Sequence, residues 1–186
     1  MKKFLALVGL LIIGAGFKSS AQNFPIDTTT KRIDYTAVVP MVGQTKDQLF
    51  DQAMKVLHKM YPNADQKLAV ADRSAGKIVL NGFTRVMLKD ASGVMVPDPT
   101  LIRYKLTILF KDGKYKYEIT EFVIEKSGMP WHVERWIEHN NPGDHTYDKG
   151  DRVQEHLDFL YSDIKRVIKE LTDGMKGEKE VIKKDW

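Results

Sequence analysis

Residues that could do chemistry crowd into one place. The stretch "WHVERWIEHNNPGDH", Trp131 to His145, holds three of the five histidines and two of the three tryptophans, with Glu134, Glu138 and Asp144 among them. Imidazoles and carboxylates are the usual ligands of zinc and the usual acids and bases of hydrolases. Metal-binding histidines, however, come at spacings that bring them together. His132 and His139 are seven apart and His139 and His145 six apart, with Asn-Asn-Pro-Gly in the second interval. On a helix, seven residues span about 10 Å, too far for one shared ion. No HExxH is present, and Glu138 merely adjoins His139. No metal site and no cofactor are expected.

Acid–base and nucleophilic catalysis find no better footing. Glu134 and Glu138 would stack at i, i+4 as an exposed pair, and no serine stands in a GxSxG elbow. There is no phosphate loop, no GxGxxG, and no cysteine at all, which excludes thiol chemistry and disulfide exchange. The reading that uses these side chains best is structural. Trp131, Trp136 and Ile137 close the open end of a core, and their polar neighbours turn to solvent. A contact surface at Trp131, His132 and Trp136 is the functional reading of the same loop, since aromatic groups on long connections are common anchors.

What positions that loop is legible in the flanking pattern. "RIDYTAVV" alternates as a strand stopped by Pro40, and Thr45 caps a helix whose apolar residues run from Leu49 to Tyr61 and end before Pro62. "KLAVAD" and "KIVLNGFTRVML" read as strands around "RSAG", with Gly82 marking a bulge or a close backbone approach. "KDASGVMVPDPT" is expected as a connection to "LIRYKLTILF". Asp112-Gly113 then turns the chain into "YKYEITEFVIE". That turn sets a register of Phe110 with Tyr115, Ile108 with Tyr117, Leu106 with Ile119 and Tyr104 with Glu121. One face is apolar, and the other carries Arg103, Lys105, Lys114 and Lys116. Those cations form either a solvated face that resists edge pairing or a docking surface for an acidic partner, a glycan or an anionic envelope. His58 and His156 are expected at helix margins. The final helix carries an apolar stripe from Val153 to Leu171, with Asp151 as its cap and Gly174 as its stop.

The expected fold is therefore α+β. A single antiparallel sheet of about five strands carries two helices on one face, in the order β-α-β-β-β-β-α. Residues 32–172 form one domain, preceded by a lead-in at 22–31 and followed by a charged tail at 173–186. Residues 1–21 read as a secretory signal peptide: Lys2 and Lys3, an apolar run from Phe4 to Phe17, then small residues up to Ala21. Cleavage there removes three lysines from a net charge of +4 and leaves +1, which gives no electrostatic case for nucleic acid. No stable membrane insertion is expected after cleavage, because the apolar run falls short of a span of about 20 residues. The protein is expected to be exported, periplasmic or secreted.

The opening "FPID", the helix "TKDQLFDQAMKVL", the turn and strand "DRSAGKIVLNG" and the closing "LYSDIKRVIKEL" together resemble the exported bacterial domain-of-unknown-function family 4468, over roughly residues 24–172. The resemblance implies a TBP-like fold. It brings no assigned activity and no catalytic residues, and a topology named after TBP does not imply DNA binding. The functional expectation is a non-enzymatic binding or accessory module of the cell envelope, its partner an unknown protein or envelope component. The alternative is a periplasmic hydrolase using the loop of His132, His139 and His145.

Overall fold

The structure is a computed structural model, and it describes residues 24–126, 129–139 and 152–177, without the side chains of Lys126, Met129 and His139. Its long elements follow from the patterns above, and three short ones, at Ala64–Lys67, Met129–His132 and Glu134–His139, add to the seven elements expected. Strand β1, Tyr35–Pro40, leads to helix α1, Lys46–Met60. Thr45 caps that helix in a complete capping box with Gln48, which satisfies two of the donors a helix start leaves open. A single turn, α2 (Ala64–Lys67), follows Asn63 in the left-handed conformation and leads into β2, Leu68–Asp72. Then come β3 (Lys77–Lys89), β4 (Met95–Lys111) and β5 (Lys114–Lys126). A short β6 (Met129–His132), α3 (Glu134–His139) and α4 (Val153–Met175) complete the described chain.

The sheet is antiparallel throughout, in the order β1-β5-β4-β3-β2. β1 covers the first half of β5's free edge, Lys114 to Ile119, and β6 adds to the second half at Val123 to Lys126. Both long helices pack on one sheet face. Leu49, Ala53 and Leu57 of α1 meet Leu160, Ile164 and Leu171 of α4 over Ile78, Leu80, Ile102, Leu106 and Ile108, all fully buried. Thirty or so such side chains, each worth about 1.5–3 kcal/mol on burial, hold a chain that has no disulfide.

Three pairs of the expected hairpin register are present: Phe110 with Tyr115, Ile108 with Tyr117, and Leu106 with Ile119. The fourth, Tyr104 with Glu121, is not. Lys105 faces Thr120 but Arg103 faces Val123, so an extra residue bulges from β5. Glu121 takes φ +55° there. The bulge switches the alternation, and Phe122 and Ile124, which unbroken alternation would turn outward, are buried in the core.

Other boundaries shift for equally physical reasons. The segment expected as a connection is half strand: β4 begins at Met95. Pro97 and Pro99 are tolerated there because β5 pairs β4 only from Leu101 onward, so on that side the missing N–H has no ladder to break. Gly82 lies in a regular stretch of register, and a Cβ would come 2.2 Å from the Tyr104 ring, so it is the close approach and not the bulge. Gly174 does not stop α4. The helix runs on to Met175, itself buried, and Gly174 is where Val56 of α1 comes so close that a Cβ would sit 2.8 Å from its methyl. The left-handed turn falls at Gly177, φ +78°. Asp151 lies outside the described residues, and Arg152, left-handed, occupies the position before the helix without a side-chain cap.

Candidate functional site

The described part of the Trp-rich stretch, residues 131–139, becomes a strand and one turn and a half of helix. β6 extends the sheet, placing Trp131 opposite Ile124 and His132 opposite Val123. Val133 then donates its N–H to Phe122 O, and Trp136 N donates to Val133 O, starting α3. Trp136 is 1% exposed, and its ring packs 5.1 Å from that of His156. Trp131 and Ile137 pack against the same core from its rim. The aromatic groups do close the core's end.

Their polar neighbours do not all turn to solvent. Glu134 is buried at 5% exposure and is no partner of an exposed stack with Glu138. Its Oε1 accepts the Ile33 N–H at 2.7 Å, and Oε2 accepts from the Arg32 guanidinium at 3.3 Å. The carboxylate staples α3 to the chain entering β1, where a bridge between Ile26 and Ile33 forms a small hairpin. Asp27 shapes that hairpin. Its carboxylate accepts Thr30 N at 2.6 Å and Thr29 N at 3.0 Å, and the Thr30 amide above all holds its carboxyl below the usual range.

His156 is likewise no marginal residue. It is 2% exposed in the first turn of α4. The Nδ1 atom lies 2.9 Å from the Arg152 carbonyl, which can only accept, so Nδ1 carries a proton. Nε2 faces Asp98 Oδ1 at 3.1 Å and Thr100 Oγ1 at 3.3 Å on β4. Burial tends to raise the Asp98 carboxyl, but the Thr100 hydroxyl and amide and the His156 ring together hold it below its ordinary value. This cluster and Glu134 escaped the sequence reading. Asp98 and His156 stand 58 positions apart, and only the fold of β4 against α4 brings them together.

The cations of the outer sheet face are matched by acids on β5. Arg103 donates to Glu125 at 2.6 Å, Lys105 to Glu121 at 2.5 Å, and Lys116 lies 2.5 Å from Glu118. The Arg103 guanidinium holds the Glu125 carboxyl below its usual range, and Glu118 raises the Lys116 ammonium. Lys114 is exposed at the turn beside Lys111 and has no ion pair among the described residues. The face expected as basic is thus largely charge-compensated.

Trp131 and His132 meet instead in a notch of about 500 Å³ at the sheet corner, together with Thr30, Arg32, Arg135 and Glu138. His132 is exposed on its wall, the indole Nε1 of Trp131 is buried without a partner among the described residues, and Trp136, buried in the core, does not line it. The side chain of His139 and the whole of His145 lie outside the described residues. Among the described residues no group of three His, Asp or Glu side chains is placed to hold a metal. No described helix is long and apolar enough to cross a membrane.

The family model of a domain of unknown function with TBP-like fold, DUF4468, matches residues 35–125, from β1 to the end of β5. Those residues belong to the DUF4468 family. A DUF4468 family protein from Bacteroides ovatus superposes with a TM-score of 0.63 at 12% identity, over 83% of this chain and 92% of that one. A TBP-like protein from Parabacteroides distasonis gives 0.61 at 15% identity, over 80% of this chain and 95% of that one. At such identities the likeness is one of fold. No curated protein matches the chain. The DUF4468 match ends before β6 and α3, so the notch is built where the chain continues beyond the family's matched segment.

Proposed function

We propose that this DUF4468 protein is an exported, non-enzymatic binding or accessory module of the cell envelope, and that the notch at Trp131 and His132 is its contact surface. The signal-like residues 1–21 support export. The observation that carries the choice of surface is the contrast between the two candidates. Arg103, Lys105 and Lys116 are each engaged by a carboxylate of β5, whereas the notch is concave and gathers an aromatic side chain, an exposed imidazole and the exposed Arg135. Concave, partly apolar sites with a few polar groups are where ligands bind. A hydrolase at His132 would draw its base from the notch's two carboxylates, Glu134 and Glu138, of which Glu134 is committed to Ile33 and Arg32.

Mass spectrometry of the native protein tests export: the mature chain should begin at Gln22, and an intact Met1 terminus on the native protein contradicts it. For the surface, envelope components retained by the immobilised mature protein should be lost with Trp131→Ala plus Arg135→Glu and kept with Lys114→Glu. Retention unchanged by the notch variants rejects the notch.

A further inference from the structure

We infer that the free edge of β3 is a docking site for an extended, acidic segment of a partner protein, which adds to the sheet as a further strand. β4 lies along β3 from Lys77 to Lys89, but β2 pairs only Lys77 to Leu80. From Asn81 onward no described strand covers the far side of β3. In an antiparallel ladder, alternate residues turn their N–H and C=O groups toward each neighbour, so this edge presents a row of backbone donors and acceptors. The edge is about 25–30 Å long at strand rise. Arg152 closes its far end by donating Nη2 to Lys89 O at 2.8 Å.

Two further features lie against this edge. At its beginning a cavity of about 390 Å³ opens between the corner of α1 and α2, β3 and α4, lined by Met60, Lys67, Phe83, Tyr104, Arg166 and Val167. The Tyr61 and Tyr104 hydroxyls meet there at 2.9 Å, and Gly82 leaves the room that the Tyr104 ring needs. A strand lying on the edge could place an apolar side chain into this space. Along the outer face stand Lys67, its ammonium 4.8 Å from the centre of the exposed Phe83 ring, then Arg85 and Lys89. None of these three has a carboxylate partner among the described residues, in contrast to Arg103, Lys105 and Lys116 on the strands that do have neighbours. Strand addition supplies affinity through the main chain and specificity through alternate side chains, and here the alternation asked for is acidic outside and apolar inside. A second copy of this chain fits the edge poorly: β3 paired antiparallel with itself about Arg85 sets Arg85 against Arg85, and about Met87 sets Arg85 against Lys89.

The test is hydrogen exchange followed by mass spectrometry, with a short capped peptide of alternating Glu and Val as the probe and its Lys-Val counterpart as control. The Glu-Val peptide should slow exchange in fragments covering Asn81 to Leu88, with the effect lost at high salt, and the Lys-Val peptide should not. Arg85→Glu combined with Lys89→Glu, both exposed positions, should reverse that preference. Absence of protection in 81–88 overturns the proposal and leaves Arg85 and Lys89 as guards against edge pairing. So does protection unaffected by the charge reversal, or protection of 81–88 that appears without peptide as protein concentration rises, which would make a second copy the occupant.

Discussion

Trp136 and His132 stand four positions apart, and their surroundings separate what each can be asked to do. The indole fills the end of the core beside His156, while the imidazole lies on the notch wall in solvent. Trp136→Ala should therefore cost on the order of 3–5 kcal/mol, through lost burial and a residual cavity. His132→Ala should change stability by no more than about 0.5 kcal/mol. Urea melts of the two variants check this, and equal losses would mean that the tryptophan is not core. Glu134 makes a sharper case, because it is short of neither water-like partners nor burial. Glu134→Ala leaves the Ile33 N–H unpaired inside the protein, at a cost of about 1–3 kcal/mol. Glu134→Gln keeps an acceptor for that N–H and should cost less. The aromatic role was legible in the sequence, since two tryptophans five positions apart, the first directly after a proline, ask for burial. The role of Glu134 was not, since nothing near it in the chain indicates that the Ile33 amide, 101 positions away, needs an acceptor.

Among the elements, the hairpin of β4 and β5 marks how far local chemistry carries. Asp112-Gly113 sets the first pairs through turn geometry, and these hold for as long as alternation is unbroken. Beyond Ile119 the apolar residues fall at Phe122 and Ile124, a step of three followed by a step of two. That step of three is the trace of the bulge, and reading on in strict alternation placed Glu121 inward. The bulge requires Glu121 to hold φ +55°, where a β-branched side chain is a genuine outlier and asparagine is at ease. Glu121→Val should destabilise by about 1–3 kcal/mol, while Glu121→Asn should stay close to the parent, losing only an exposed ion pair with Lys105. Thermal melts of the pair decide it, and equal midpoints would deny the backbone a part in the bulge. Gly174 makes the same point for helices. A glycine near a helix end reads as a stop, yet here it admits α1 against α4, a demand that exists only once both helices are packed.

The whole molecule rests on one apolar layer with few charges inside it, and pH probes that layer from both sides. On the acid side Asp98 is the group to follow. Its folded carboxyl is held below the ordinary value, so its contribution is present above an unfolded pKa of about 3.9 and is lost as pH falls through the lower folded value. Asp98→Asn should be less stable than the parent near neutrality, and the difference should shrink as pH drops below about 4. On the alkaline side the relevant groups are phenols. Burial raises Tyr35, Tyr61, Tyr104, Tyr115 and Tyr117, with Tyr61 and Tyr115 each pushed up to about 12. A raised acid of this kind contributes stability that is intact below the unfolded value of about 10 and is lost as pH rises through the folded one. Stability should therefore hold to about pH 10 and collapse toward 12, with the phenolate absorbance of these five of the seven tyrosines appearing in step with the loss of circular dichroism. The two tyrosines differ in what they leave behind. The Tyr115 hydroxyl is buried without a partner among the described residues, so Tyr115→Phe removes a polar burden and should be neutral or stabilising while moving the alkaline limb upward. The Tyr61 hydroxyl is bonded to Tyr104, and Tyr61→Phe should cost about 1 kcal/mol at neutral pH for the same gain in alkali. Phenolate absorbance from more than two of the seven tyrosines that rises well before the fold is lost would place these rings in water, and the single packed layer that the two helices and the sheet share would not be the source of the protein's stability.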